Sequence, residues 1–220
     1  MPTPRRPDAI LFDLDGTLVD TVPARISAWT AVFAEFGIPS SRERVEPMIG
    51  IDGRRLAREG AAAAGRHIDD ETAEAIDRRS GELFDEINTD PRPLPGARDV
   101  LRRLTERGVT WAIATSSRRE QVGSSIAALG LGADPTLVDG SHVEHAKPAP
   151  DLLLLGAREL GVDPAACWYV GDSTWDMRAA VAAGMRAVGV LAGAAADAES
   201  LRAAGASSVL DTIESLEVPD

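Results

Sequence analysis

Apolar positions change their spacing along this chain in a regular way. Residues 9–12 (Ala9-Ile10-Leu11-Phe12) form a short unbroken apolar run that ends in Asp13. With Pro7 and Gly16 outside it, the run reads as a buried strand. From 22 to 36 the apolar residues recur at helical spacing (Val22, Ile26, Trp29, Val32, Phe33, Phe36), and Gly37 and Pro39 stop the helix. Residues 42–90 are rich in Ala, Arg, Glu and Asp and show no strand pattern, so several helices are expected there. Pro91, Pro93, Pro95 and Gly96 then make a stiff, helix-breaking connection.

Beyond that connection the two periods alternate. Helices are expected over 97–107, 118–129, 150–160, 174–183 and 196–204, and strands over 109–114, 136–138, 167–170, 186–191 and 208–210. Alternation of this kind means a parallel sheet with helices on both faces. The expected fold is α/β: a doubly wound, Rossmann-like core from residues 1–18 plus 93–220, with an all-helical domain inserted at 19–92.

Composition narrows the function. The chain has 220 residues, 44% hydrophobic and 26% charged, which suits a globular protein and excludes a disordered one. No apolar run approaches the ~20 residues that span a bilayer. Residues 1–7 carry Arg5 and Arg6, but Asp13 and Asp15 break the apolar run behind them, so a secretory signal is not expected and the cytoplasm is. Cys167 is the single cysteine, so neither an intrachain disulfide nor a cysteine zinc site can form. There is no H-E-x-x-H, no G-x-G-x-x-G after the first strand, and Pro148 rather than Ser or Thr follows Lys147, which excludes a zincin, a Rossmann dehydrogenase and a P-loop NTPase. A net charge of −12 argues against nucleic acid as a partner. The same charge repels an anionic substrate unless a local cation overcomes it. Of 23 basic residues only Lys147 is a lysine.

The strongest chemical signal is Phe12-Asp13-Leu14-Asp15-Gly16-Thr17. A charged turn after a strand would use the same residue types. Its place at the carboxyl end of the first strand, where open parallel sheets bind ligands, points to chemistry instead. The pattern resembles the first motif, D-x-D-x-T, of the haloacid dehalogenase superfamily. Three further motifs follow in that family's order: Thr115 after a strand, Lys147 in Ala146-Lys147-Pro148, and Gly171-Asp172-Ser173-Thr174-Trp175-Asp176. The resemblance covers almost the whole chain.

It implies a phosphatase. Asp13 would be a carboxylate nucleophile that forms an aspartyl-phosphate. Asp15 would protonate the leaving oxygen and then deprotonate water, with its proton retained by neighbouring carboxylate charge. Thr115, assisted by Ser116, and Lys147 would hold the phosphoryl oxygens. Asp172 and, less directly, Asp176 would join Asp13 and Asp15 around Mg²⁺. The ammonium of Lys147 supplies the local positive field that the charge balance demands.

In this family an insertion after the first motif is a cap that closes the site, here of the helical type found in phosphoglycolate phosphatases and beta-phosphoglucomutases. Substrate contacts are expected from the stretch 49–56, with Arg54 or Arg55 pairing with a carboxylate or hydroxyls; a solvated helix face is the competing reading of these two arginines. The substrate is expected to be a small phosphorylated metabolite, handled by a monomer or a homodimer. A mutase is the alternative: Ala28-Trp29 resembles its first cap helix. However, Arg25 stands where the mutases have a cap histidine, Gly53-Arg54 blurs their cap arginine, and Gly171 stands where they have an acid. Two further readings fare worse. A phosphonoacetaldehyde hydrolase needs a cap lysine that residues 19–92 lack, and a non-catalytic phosphometabolite-binding module would be expected to lose one of the acids or the lysine.

Overall fold

The computed structural model describes residues 6–193 and 196–219, the His142 side chain excepted. Arg5 and the residues before it lie outside that range. Six strands form one parallel sheet: β1 (Ala9–Phe12), β2 (Thr110–Thr115), β3 (Leu137–Asp139), β4 (Cys167–Gly171), β5 (Arg186–Val190) and β6 (Ser208–Leu210). Their order is β3-β2-β1-β4-β5-β6. β1 pairs with β2 from Ala9↔Thr110 to Phe12↔Ile113 and with β4 from Ala9↔Cys167 to Phe12↔Val170. The chain therefore leaves β1 in one direction and later returns to its other side. That reversal opens a crevice at the carboxyl ends of β1 and β4.

Helices α5 (Ala97–Glu106), α6 (Gly123–Ala128), α7 (Asp151–Leu160), α8 (Thr174–Ala182) and α9 (Ala198–Ala203) flank the sheet. Two apolar clusters fill its two faces. Ile10, Phe12 and Val170 point one way, into the side chains of α5. Ala9, Leu11 and Tyr169 point the other way, against α7 and α8. The alternation follows from the period of two in a strand. Both faces are buried, which is why β1 reads as a continuous apolar run.

The regular elements between β1 and α5 are helices: α1 (Val22–Glu35), α2 (Arg42–Val45), α3 (Gly53–Ala63) and α4 (Asp70–Ile87). It has an apolar cluster of its own, with Ile26, Trp29 and Phe33 of α1 packed against Ile76 and Phe84 of α4 and Leu56 of α3. Asp52 and Asp69 cap α3 and α4 by accepting the backbone N–H of Arg55 and Thr72.

One expected helix is divided. Over 118–129 the chain forms a short 3-10 turn at Arg119–Gln121 and then α6. Arg118 and Gln121 are drawn toward α4: Arg118 pairs with Asp77, and Gln121 packs against Gly81. Those tertiary contacts hold Arg118 in an extended conformation, so a continuous helix cannot start there.

Candidate active site

Strand ends and two loops meet in the crevice. β1 runs out into Asp13, whose backbone N–H donates to Val170 O (2.9 Å). β2 ends at Thr115 and β4 at Gly171, next to Asp172. After β1 the chain turns back tightly, with Gly16 N–H donating to Val19 O (2.8 Å). Gly16 has φ +82°, and a Cβ there would collide with the Asp172 carboxylate. The glycine of the D-x-D-G-T pattern is thus required twice, by its backbone angle and by the close approach of an acid from another strand.

Lys147, 1% exposed, binds these groups together. Its Nζ donates to Asp13 Oδ1 (2.7 Å) and Asp176 Oδ1 (2.8 Å), and lies 3.1 Å from the Tyr169 hydroxyl. That hydroxyl donates in turn to Ala114 O (3.0 Å). Asp176 is held on its other oxygen by the Ser173 N–H (3.0 Å) and hydroxyl (2.6 Å), a capping box that starts α8. Asp172 is less engaged: Thr17 donates to its Oδ1 at 3.3 Å.

Asp13, Asp172 and Asp176 each bring a carboxylate oxygen within 4.8 Å of the others, all buried. One ammonium faces these three acids. Burial pushes the Asp13 carboxyl up to about 7, although Lys147 pulls it down. Burial, then the charges of Asp176 and Asp13, raise Asp172 well above its ordinary value. Buried oxygen ligands short of positive charge are what a hard divalent cation needs. The residues fit such an ion, with Asp172 carrying the least committed oxygen.

Asp15 does not join this cluster. Its carboxylate turns the other way and accepts from Thr21 Oγ1 (2.6 Å), Ser117 Oγ (2.7 Å) and Arg25 Nη2 (3.1 Å). These three donors occupy its carboxylate oxygens and hold them outside the acid cluster. Its expected raised pKa is corrected. Burial alone would lift it, but Arg25, Thr21 and Ser117 hold the carboxyl below its ordinary value.

Thr115 and Ser116 line the same cavity as Asp13. Thr115 Oγ1 accepts the Ser117 N–H (3.1 Å), and Ser116 Oγ is buried without a hydrogen-bond partner. The cavity encloses about 260 Å³ and is walled on the far side by residues of the helical segment, Arg54 among them. Arg55 lies outside it: it pairs with Glu59 (2.6 Å) and stacks on Trp175. Adjacent positions on α3 point about 100° apart, so Arg54 and Arg55 face different surroundings, and the sequence did not distinguish them.

Arg25, Ser117, Arg118 and Tyr169 are the site residues that sequence reasoning passed over. Ser117 adjoins the motif threonine, and Tyr169 lies two positions before the strand end, in phase with the lysine side of the sheet. Arg118 gave no local signal, because its partner Asp77 lies 41 residues away, and Arg25, 10 residues from Asp15, stood out only as a departure from the mutase pattern.

A family model described as haloacid dehalogenase-like hydrolase matches residues 10–190. A phosphoglycolate phosphatase of Pseudomonas putida is 33% identical over 193 residues, covering 85% of this chain and 70% of that protein. The fructose-1-phosphate phosphatase YqaB of Escherichia coli is 33% identical over 183 residues, covering 82% and 95%. The crystal structure of a hydrolase from Pseudomonas syringae superposes with a TM-score of 0.89 at 31% identity, covering 94% of each chain.

Proposed function

Since the chain belongs to the haloacid dehalogenase-like hydrolase family, we propose that it is a Mg²⁺-dependent phosphatase of small phosphate monoesters, of the phosphoglycolate or sugar phosphate type. The observation that carries this reading is the buried contact of Asp13 with Lys147 beside Asp172, with Asp15 two residues on but facing another direction. Each group then has a separate task. Lys147 holds Asp13 Oδ1, which leaves Oδ2 to attack phosphorus. As the Asp13–phosphorus bond forms, the ester P–O bond breaks and Asp15 gives its proton to the departing alcohol oxygen. Water then attacks the aspartyl-phosphate and loses a proton to Asp15, and the P–O bond to Asp13 breaks to release inorganic phosphate.

Asp15 rests in the form that this second step needs, since Arg25, Thr21 and Ser117 favour its ionised state. It must take up a proton before the first step. Thr115 and Ser116, which line the cavity beside Asp13 at the end of β2, would bind the phosphoryl oxygens. Mg²⁺, held by Asp13 and Asp172 with Asp176 behind them, would add positive charge against the phosphoryl oxygens. Asp176 has all of its oxygens committed, so its part is to fix Lys147 and the start of α8.

Residues 19–92 serve in this reading as the cap, over a core of 1–18 plus 93–220. A separate apolar cluster supports that division, as do the contacts that cross it: Arg25 to Asp15, Arg118 to Asp77, and Trp175 Nε1 to Pro47 O (2.9 Å).

The test is phosphate release from p-nitrophenyl phosphate, followed by a panel of phosphorylated metabolites. Asp13→Asn is expected to abolish turnover and leave the circular dichroism spectrum native. Turnover retained in that variant removes Asp13 as nucleophile. Supplied with beta-glucose 1-phosphate and a bisphosphate primer, the protein is expected to release phosphate. Glucose 6-phosphate formed faster than free phosphate would make it a mutase instead.

A further inference from the structure

We propose that Trp175 is a positioning residue for the leaving group: from the first turn of α8 it holds the segment 47–54, the wall opposite Asp13, in its place over the cavity. The inference rests on the phosphatase reading above.

Trp175 lies between Asp172 and Asp176 in sequence, yet its indole packs into the apolar cluster of the helical segment. Its Nε1 donates to Pro47 O (2.9 Å). Three residues on, Gly50 has φ +99°, and its backbone rests on the start of α8. A Cβ there would come 3.0 Å from Ser173 Oγ and 3.8 Å from Trp175 Cδ1. Glycine lets the turn approach that closely. Two guanidinium groups lie against the same ring, Arg55 of α3 at 5.4 Å from its centroid and Arg178 of α8 at 5.0 Å. Each is attracted to the ring face. The indole thus pins the segment at both ends, at Pro47 before it and at Arg55 after it.

What the ring holds is a wall of the cavity. Ile49, Gly50, Ile51, Asp52, Gly53 and Arg54 all line the space that opens on Asp13. Next to Trp175 in the chain, Asp176 holds Lys147 (2.8 Å), and Lys147 holds Asp13 (2.7 Å). Wall and nucleophile are therefore both referred to one short stretch of chain, 172–176. Arg25 and Arg118 fasten α1 and α4 to the core. Trp175 fastens the part that faces the leaving group. With the phosphoryl group gripped on the Asp13 side, the rest of the ester must fit between it and this wall. A displacement of about 1 Å there is enough to weaken productive binding.

The test uses the full-length protein with Mg²⁺ and three readouts. These are hydrogen exchange over 46–56, kcat and KM for p-nitrophenyl phosphate, and inhibition by inorganic phosphate, which fills the phosphoryl site without reaching the wall. Trp175→Phe keeps a ring and loses the N–H. It is expected to speed exchange over 46–56 by about fivefold and to raise KM by about as much, the worth of one hydrogen bond. Trp175→Ala loses the ring too, and both effects are expected to exceed about tenfold. Exchange in β1 and β4, kcat and the phosphate inhibition constant are expected to stay near wild type, which separates a displaced wall from general damage. Wild-type exchange over 46–56 in both variants overturns the proposal. So does an unchanged KM in both, or a KM rise matched by the phosphate inhibition constant, which would assign Trp175 to the acids of α8 instead. No phosphate release from p-nitrophenyl phosphate or any ester of the panel is a different failure. It overturns the phosphatase reading, while the exchange result still decides whether Trp175 holds the segment.

Discussion

Lys147 shows what a single residue can be asked to do in this fold. An ammonium 1% exposed is tolerable because two carboxylates and a hydroxyl surround it, and those carboxylates are tolerable because of it. Burial alone would lower its pKa, yet Asp13 and Asp176 hold it well above the ordinary lysine value. Lys147→Met keeps the length of the side chain and removes the charge. Without metal it is expected to cost about 3–5 kcal/mol in urea unfolding, because two buried acids lose their partner. Added Mg²⁺ should recover part of that loss. A variant as stable as the wild type in EDTA would show that the acids do not depend on the lysine. The importance of Lys147 was legible early, because it is the one lysine in a chain of arginines and falls in a motif. The importance of Arg25 was not. It sits on a helix whose apolar pattern looks ordinary, and only folding brings it to Asp15 and Phe84.

At the scale of elements, the contact between α4 and the chain after β2 joins the helical segment to the sheet. Arg118 donates to Asp77 Oδ2 at 2.7 and 3.1 Å and to Glu74 Oε1 at 2.8 Å. Asp77 is buried, and that burial raises its pKa against the pull of Arg118. Arg118→Ala is expected to lower stability at pH 7 by on the order of 1–3 kcal/mol, at the lower end because the arginine is one-third exposed. The sign of the pH effect follows from the raised pKa. The ionised form of Asp77 is the costly one in the folded state, so the deficit should shrink as pH falls toward the ordinary carboxylate range and Asp77 takes a proton. Thermal unfolding at a series of pH values checks this, and a deficit that grows in acid would contradict it. The same contact divides the helix expected over 118–129. The apolar period there was read correctly, but side chains reaching for α4 outweighed it locally.

For the whole molecule, the strand order β3-β2-β1-β4-β5-β6 sets Asp13 and Asp172 on adjacent strand ends, although they are 159 positions apart in sequence. The cluster built there carries more negative charge than its one lysine offsets. Mg²⁺ is therefore expected to stabilise the folded chain, by about 2.7 kcal/mol at one hundred times its dissociation constant, and EDTA to remove that gain. Asp172→Asn should abolish the Mg²⁺-dependent rise in melting temperature and the metal dependence of turnover together. A rise that survives this substitution would place the ion elsewhere. Among the described residues no helix is long and apolar enough to cross a membrane. The sequence by itself determined the alternation of strands and helices, the long helical insertion and the ordered motifs, because period, turn chemistry and residue type are local properties that each short segment carries. Only the tertiary structure decided that Asp15 faces Arg25 rather than the acid cluster, that Arg54 and not Arg55 reaches the cavity, and that Tyr169 supports Lys147. Those outcomes depend on side-chain direction and on charges that meet across distant segments, and a carboxylate turns toward whichever donors the folded chain brings nearest.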